Sequence, residues 1–102
     1  MSSTIAVGDV VRLTRESFLY YRSIINRTYF ISPSWHKYSA GRANKGKLAL
    51  RDAGGLVLRP EGDRWIVKHL DPRKFPRIVS VCMIDIERVN EVEAMRMCSV
   101  WT

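Results

Sequence analysis

"KLALRDAGGLVLRPEGDRWIVKHL" occupies residues 47–70, and its reading decides the fold. Leu48 and Leu50 stand two apart, as do Leu56 and Leu58, and Asp52-Ala53-Gly54-Gly55 lies between the pairs like a turn. Residues i and i+2 share one face of a strand. The pattern therefore predicts a β-hairpin with Leu48, Leu50, Leu56 and Leu58 facing inward. Pro60-Glu61-Gly62-Asp63 is a second turn signal, and "RWIVKHL" follows as another strand.

Downstream, "DPRKFPR" (71–77) is a proline-bounded basic loop, and "RIVSVCMI" (77–84) forms a further strand to about Ile84, which makes the second half a meander of about four strands. The tail "DIERVNEVEAMRMC" predicts a short helix capped by Asp85, with Ile86, Val89 and Glu93 or Met97 at helical spacings. The rival reading carries the strand through Ile86 and turns at Asn90.

Upstream, Gly8-Asp9 is a turn before Val10, Val11, Leu13 and Thr14, so a first strand runs from about residue 9 to 14 with Arg12 in water. "ESFLYYRSIIN" (16–26) supports a helical turn or irregular excursion, with Ser17 as cap and Phe18, Tyr21 and Ile25 on one face. "RTYFIS" (27–32) reads as a strand that stops at Pro33. Residues 33–46, "PSWHKYSAGRANKG", form a long loop, a length that in small domains is usually functional or disordered. The 102 residues make one mainly β (α+β) domain, a small SH3-like barrel or bent five-stranded antiparallel sheet with a short C-terminal helix. The insertion at about 17–46 is basic and aromatic.

The opening "VGDVVRLT" (7–14) resembles the first strand of SH3-like small barrels, including the KOW-type modules of transcription and ribosomal proteins. The chain departs from the KOW pattern in "RESFLYYRS", which lacks the glycine that motif carries after its first strand. The resemblance implies a binding module rather than an enzyme, and carries no family site residues across.

Charge is the strongest functional signal. The formal net charge is +7, and no Asp or Glu occurs from Ser17 to Arg51. That stretch holds Arg22, Arg27, Lys37, Arg42, Lys45, Lys47 and Arg51, while residues 1–16 and 52–102 each sum to zero. It also holds seven of the ten aromatics, among them Trp35 and Tyr38. Cations that neutralise phosphates, interleaved with rings that stack on bases, are what nucleic-acid binding requires. Lys37, Arg42, Lys45 and Lys47 are the first candidates for phosphate contact, Trp35 and Tyr38 for stacking, and Arg51, Arg73 and Lys74 extend the surface. Tyr20, Tyr21, Tyr29 and Phe30 read as core residues. Gly41 and Gly46 allow close approach of backbone to phosphate.

Two other partner classes fit the same residues. An acidic protein surface would suit the basic face, making the chain a small regulator or inhibitor, though Lys is depleted at protein interfaces. Met95, Met97, Val100 and Trp101 would suit self-association through the C-terminal tail.

Catalysis finds no support. No nucleophile elbow or phosphate-cradling loop is present, and His36 and His69 lie in no catalytic context. His36 reads as a loop residue and His69 as a structural one. Asp85, Glu87, Glu91 and Glu93 read as the wet side of an amphipathic tail. Cys82 and Cys98 make no metal-ligand spacing and read as buried reduced thiols. Neither a metal nor a cofactor is expected. With no signal peptide or membrane-length apolar run, the sequence predicts a cytoplasmic protein, at the nucleoid or nucleus if it binds DNA.

Overall fold

The computed structural model describes residues 5–31, 45–74 and 76–101, and the side chains of all of these but 26–31. The elements run β1 (Val10–Leu13), α1 (Arg15–Ile31), α2 (described over 45–52), β2 (Gly55–Glu61), β3 (Arg64–His69), β4 (Ile78–Cys82), a 3-10 turn (Met83–Asp85), β5 (Ile86–Arg88) and α3 (Glu91–Val100). The five strands form one antiparallel sheet in the order β4-β3-β2-β1-β5. This is a small α+β fold with a short C-terminal helix. Among the described residues, no helix is long and apolar enough to cross a membrane.

The core lies on one face of the sheet. Val11, Leu13, Val57, Val67, Val79, Val81 and Ile86 line it, and Leu50 of α2 covers them. Phe18 and Tyr21 of α1, with Leu48 and Trp65, pack against this cluster half-buried. β-Branched residues suit a pleated surface, and each fully buried Val or Leu contributes roughly 1.5–3 kcal/mol.

The hairpin expected over 47–59 does not form, because residues 45–52 are helical. Leu50 is fully buried all the same, now from α2. β2 pairs with β1 and β3 instead, and its core-facing residues are Gly55 and Val57, leaving Leu56 and Leu58 half-buried. Its ladder shifts register between Val57 and Arg59, so that Val57 faces Val67 and Arg59 faces Ile66. Such a bulge bends the strand. The "DAGG" segment ends a helix, with Gly54 at φ +77°. A Cβ on Gly55 would stand 2.3 Å from Val67 Cγ1 and 2.7 Å from Leu50 Cδ2. The bare Gly55 backbone is what lets α2 close onto the sheet.

The strand expected over 27–32 is also absent, since α1 continues to Ile31. Its aromatic and β-branched residues favour strands, but their helix penalty is under about 0.7 kcal/mol each, and burying Phe18 and Tyr21 outweighs it. Thr14 rather than Ser17 caps α1: the Ser17 amide donates to Thr14 Oγ1 at 3.2 Å. Tyr20, expected in the core, is 59% exposed. The side chains of Tyr29 and Phe30 lie outside the described ones.

At the C-terminal end, β4 stops at Cys82 and the helix starts six residues after Asp85. Asn90 is its cap, Oδ1 accepting from the Glu93 amide at 2.8 Å. The intervening residues form β5, which pairs with β1 as Leu13↔Ile86, Arg12↔Glu87 and Val11↔Arg88. The first strand, the Gly62-Asp63 turn and β3 match the sequence reading.

Gly55→Ala should destabilise the protein by about 1–3 kcal/mol, the usual cost of overpacking, measured as a lower urea midpoint. An unchanged midpoint would mean α2 does not rest on Gly55.

Candidate nucleic-acid interface

The acid-free stretch enters the structure between two central strands, leaving β1 as α1 and returning to β2 as α2. Trp35, Lys37, Tyr38 and Arg42, with Gly41 and His36, lie outside the described residues. All ten Asp and Glu residues are described, and none falls between 17 and 51. Any carboxylate partner for a cation of this stretch must therefore come from another element or from the C-terminus.

Arg51 has found such partners. Its guanidinium donates to the Leu13 carbonyl at 2.9 Å and lies 3.6 Å from Glu87, tying α2 to β1 and β5. It serves the fold. Lys45 is exposed at the start of the described part of α2. Lys47 is half-buried, with its ammonium 4.7 Å from the centre of the Tyr21 ring, a cation–π contact. Burial, and next the charge of Arg64, hold the Lys47 amine below the usual lysine range.

Tyr21 is fixed from its other end. Its hydroxyl donates to Asp85 Oδ2 at 2.5 Å, while Ser17 Oγ donates to Oδ1 at 2.9 Å. Burial, reinforced by the Asp85 carboxylate, keeps the phenol protonated well above the usual tyrosine range. Asp85, expected to cap a helix, instead anchors α1.

Arg64, which the sequence analysis did not single out, stands beside this group. Its Nε donates to Ser80 Oγ at 2.8 Å and a terminal nitrogen donates to the Ser80 carbonyl at 2.9 Å. Lys47, Arg64, Pro76, Ile78, Val79 and Ser80 line a groove of about 290 Å³ along edge strand β4. Neither cation has an ion-pair partner within 4.0 Å among the described residues. In sequence, Arg64 falls within residues 52–102, whose charges sum to zero. Glu61 pairs with Arg59.

Arg73 and Lys74 lie apart from it, in the loop between β3 and β4. Asp71 accepts from the Arg73 amide and Nε through Oδ1 at 2.9 and 3.0 Å, and from a terminal nitrogen through Oδ2 at 3.2 Å. These bonds hold the Asp71 carboxyl below the usual carboxylate range. The same guanidinium lies over Trp101, 5.0 Å from the ring centre. Arg73 thus joins the loop to the end of α3, and Lys74 is exposed. Of the tail residues, Met97 packs near Gly54 and Trp101 is half-buried, whereas Met95 and Val100 are exposed with Val92.

Among the described residues, no cluster of His, Cys, Asp and Glu is placed to hold a metal. Cys82 and Cys98 are free thiols, half-buried rather than fully so. Glu87 pairs with Arg12 and Arg51, Glu93 with Arg96, and Glu91 is exposed. His69 ends β3, only 1% exposed. Neither ring nitrogen completes a hydrogen bond among the described residues, although the Gly46 backbone lies near. Compared with protein-family models, curated proteins and solved structures, the chain matches none of them.

Two pH effects follow. Burial, and next the charge of Lys74, lower the His69 pKa, with Asp71 opposing and Arg77 adding to the shift. Unfolding then takes up a proton, so stability should fall as pH drops below the free-histidine value of about 6.5. Urea midpoints at successive pH values should show this loss, and His69→Leu should flatten it between about pH 6.5 and 5. An equal slope in both proteins would show that His69 does not carry it. Tyr21 has the opposite sign in pH: its folded pKa is raised, so its contribution persists below about pH 10 and is lost above. Tyr21→Phe should abolish that alkaline loss and, by removing a bond to a charged acceptor, cost about 1.5–3 kcal/mol at neutral pH. A variant as stable as wild type would exclude the Tyr21–Asp85 bond as an anchor.

Proposed function

We propose that this protein is a nucleic-acid-binding module that contacts the phosphate backbone with little sequence specificity, through the basic insertion between β1 and β2. One observation carries the reading: the positive charge of residues 17–51 is matched by no acid within the stretch, and Lys47 finds no ion-pair partner elsewhere among the described residues. A concentration of unneutralised cations attracts polyanions over about a Debye length and gains affinity by counterion release. Lys37, Arg42, Lys45 and Lys47 supply phosphate contacts in this reading, and Trp35 and Tyr38 stack on unpaired bases. Arg51 and Arg73 are weaker contributors, because Glu87, the Leu13 carbonyl and Asp71 already occupy their guanidinium groups.

The small-barrel reading belongs to the same proposal. A β2–β3–β4 meander continued through β1 to β5, with a bulge that bends β2, supports it. The module acts without catalysis, in the cytoplasm where nucleic acid is accessible.

Titration of labelled single- and double-stranded DNA and RNA at several salt concentrations tests the proposal. Four phosphate contacts give a log–log salt slope of about −3 on single strands and nearer −4 on duplex DNA. Replacing Lys37, Arg42, Lys45 and Lys47 together by Ala should weaken binding to all sequences alike and flatten that slope. Unchanged affinity in this variant would remove the insertion as the interface. Absence of binding at low salt, with a stoichiometric acidic protein recovered after nuclease treatment, would replace nucleic acid by a protein partner.

A further inference from the structure

Two cations that share a groove without a counter-charge are an unusual arrangement for a protein to keep. Lys47 reaches the groove from α2 and Arg64 from the start of β3, yet each is held in place. The Tyr21 ring carries the Lys47 ammonium, and Ser80 fixes the Arg64 guanidinium at two points. Their charges are near enough that Arg64 makes protonation of Lys47 less favourable. Asp85 is the acid nearest in effect to Lys47, but it forms no ion pair with either cation, and its two oxygens already accept from Ser17 and Tyr21. Residues 32–44 contain no carboxylate to fill the gap.

We infer that the groove between Lys47 and Arg64 is a binding site for a phosphate group, with Ser80 as its floor. The assignment rests on the nucleic-acid reading for its source, a backbone phosphodiester, and on the groove's chemistry for its class. A guanidinium has five N–H donors, and Ser80 takes two, so three remain for phosphate oxygens. The Lys47 ammonium, from the same lining, offers three more donors. Arg presents its donors as a rigid fork suited to bidentate phosphate contact, while Lys adds a mobile point charge. A bound dianion or phosphodiester would turn the repulsion between the two cations into attraction of both toward it. Because Asp85 positions Tyr21, and Tyr21 positions Lys47, little ordering remains to be done on binding. Pro76, Ile78 and Val79 complete the lining with apolar side chains.

Heteronuclear NMR titration of the full chain tests this with two probes, inorganic phosphate and a single-stranded oligothymidylate, each at ionic strength matched with sodium chloride. The expected result is a saturable shift of the Arg64 Nε–H and Ser80 amide resonances with both probes, together with a rise of the Lys47 pKa. Arg64→Gln and Lys47→Met should each weaken phosphate binding about tenfold, the effect of losing one charge-assisted donor group. Lys47→Met removes the charge but keeps a long unbranched side chain, so it separates charge from packing if Arg64→Gln loosens β4. Arg96→Gln on α3 removes the same charge elsewhere and should bind as wild type. Saturation by phosphate with no response to the oligonucleotide would uphold the site for free phosphate and overturn the nucleic-acid reading. Oligonucleotide binding that leaves Arg64 and Ser80 unmoved, or that both variants retain in full, would overturn the site while leaving that reading intact. Shifts reproduced by sodium chloride alone would likewise overturn it.

Discussion

The Asp85 carboxylate is the constraint on which the arrangement of the molecule depends. It sits in the 3-10 turn between β4 and β5, and its backbone carbonyl accepts from the Thr14 amide at 2.9 Å, at the point where β1 gives way to α1. Its side chain then holds Ser17 and Tyr21 on the first two turns of that helix. Hydrogen bonds to an ionised acceptor are roughly twice as strong as neutral ones, and here two reach the carboxylate, with a third at the backbone carbonyl, from a segment about seventy positions away. The direction in which α1 leaves the sheet is therefore set by an acid outside the basic stretch.

The same residue extends its influence to the groove. Asp85 orients Tyr21, the Tyr21 ring carries Lys47, and Lys47 lines one groove with Arg64. A carboxylate next to two cations would ordinarily neutralise them. Two hydroxyl donors instead occupy its oxygens, and neither cation has an ion-pair partner among the described residues. Positive charge at the groove thus reflects how the acids are used as well as how many there are. Arg51 and Arg73 illustrate the contrasting case, in which a cation in the basic surface has been bound to a carbonyl or carboxylate and serves the fold.

Much of the sheet was legible in the sequence. Val10–Leu13, Arg64–His69 and the Gly62-Asp63 turn announce themselves by β-branched alternation and a glycine at φ +63°. The short C-terminal helix was also expected, though its cap is Asn90 rather than Asp85, whereas α1 and α2 were not legible in the same way. "KLALR" satisfies strand alternation, yet five residues also fit a helix turn, and no local signal distinguishes the two. Leu50 is buried in either case, so the hydrophobic pattern found the core residue without finding the element. Likewise Tyr and Ile in α1 argued for strand, and packing against the sheet overrode that preference. In the candidate site, Lys47 was visible as part of an acid-free run. Arg64 was hidden in residues 52–102, whose charges sum to zero, because charge balance along a chain says nothing about which side chains meet.

The sequence alone determined that the positive excess lies in residues 17–51 and that no acid within them can cancel it. That follows from covalent order and holds for any fold. Tertiary structure alone decided which cations remain unpaired, since pairing depends on distances between elements remote in sequence. It placed Glu87 against Arg51, gave Asp85 to Ser17 and Tyr21, and left Lys47 and Arg64 lining one groove. A charge acts through space over a few ångströms, and only the folded chain defines what lies within that range.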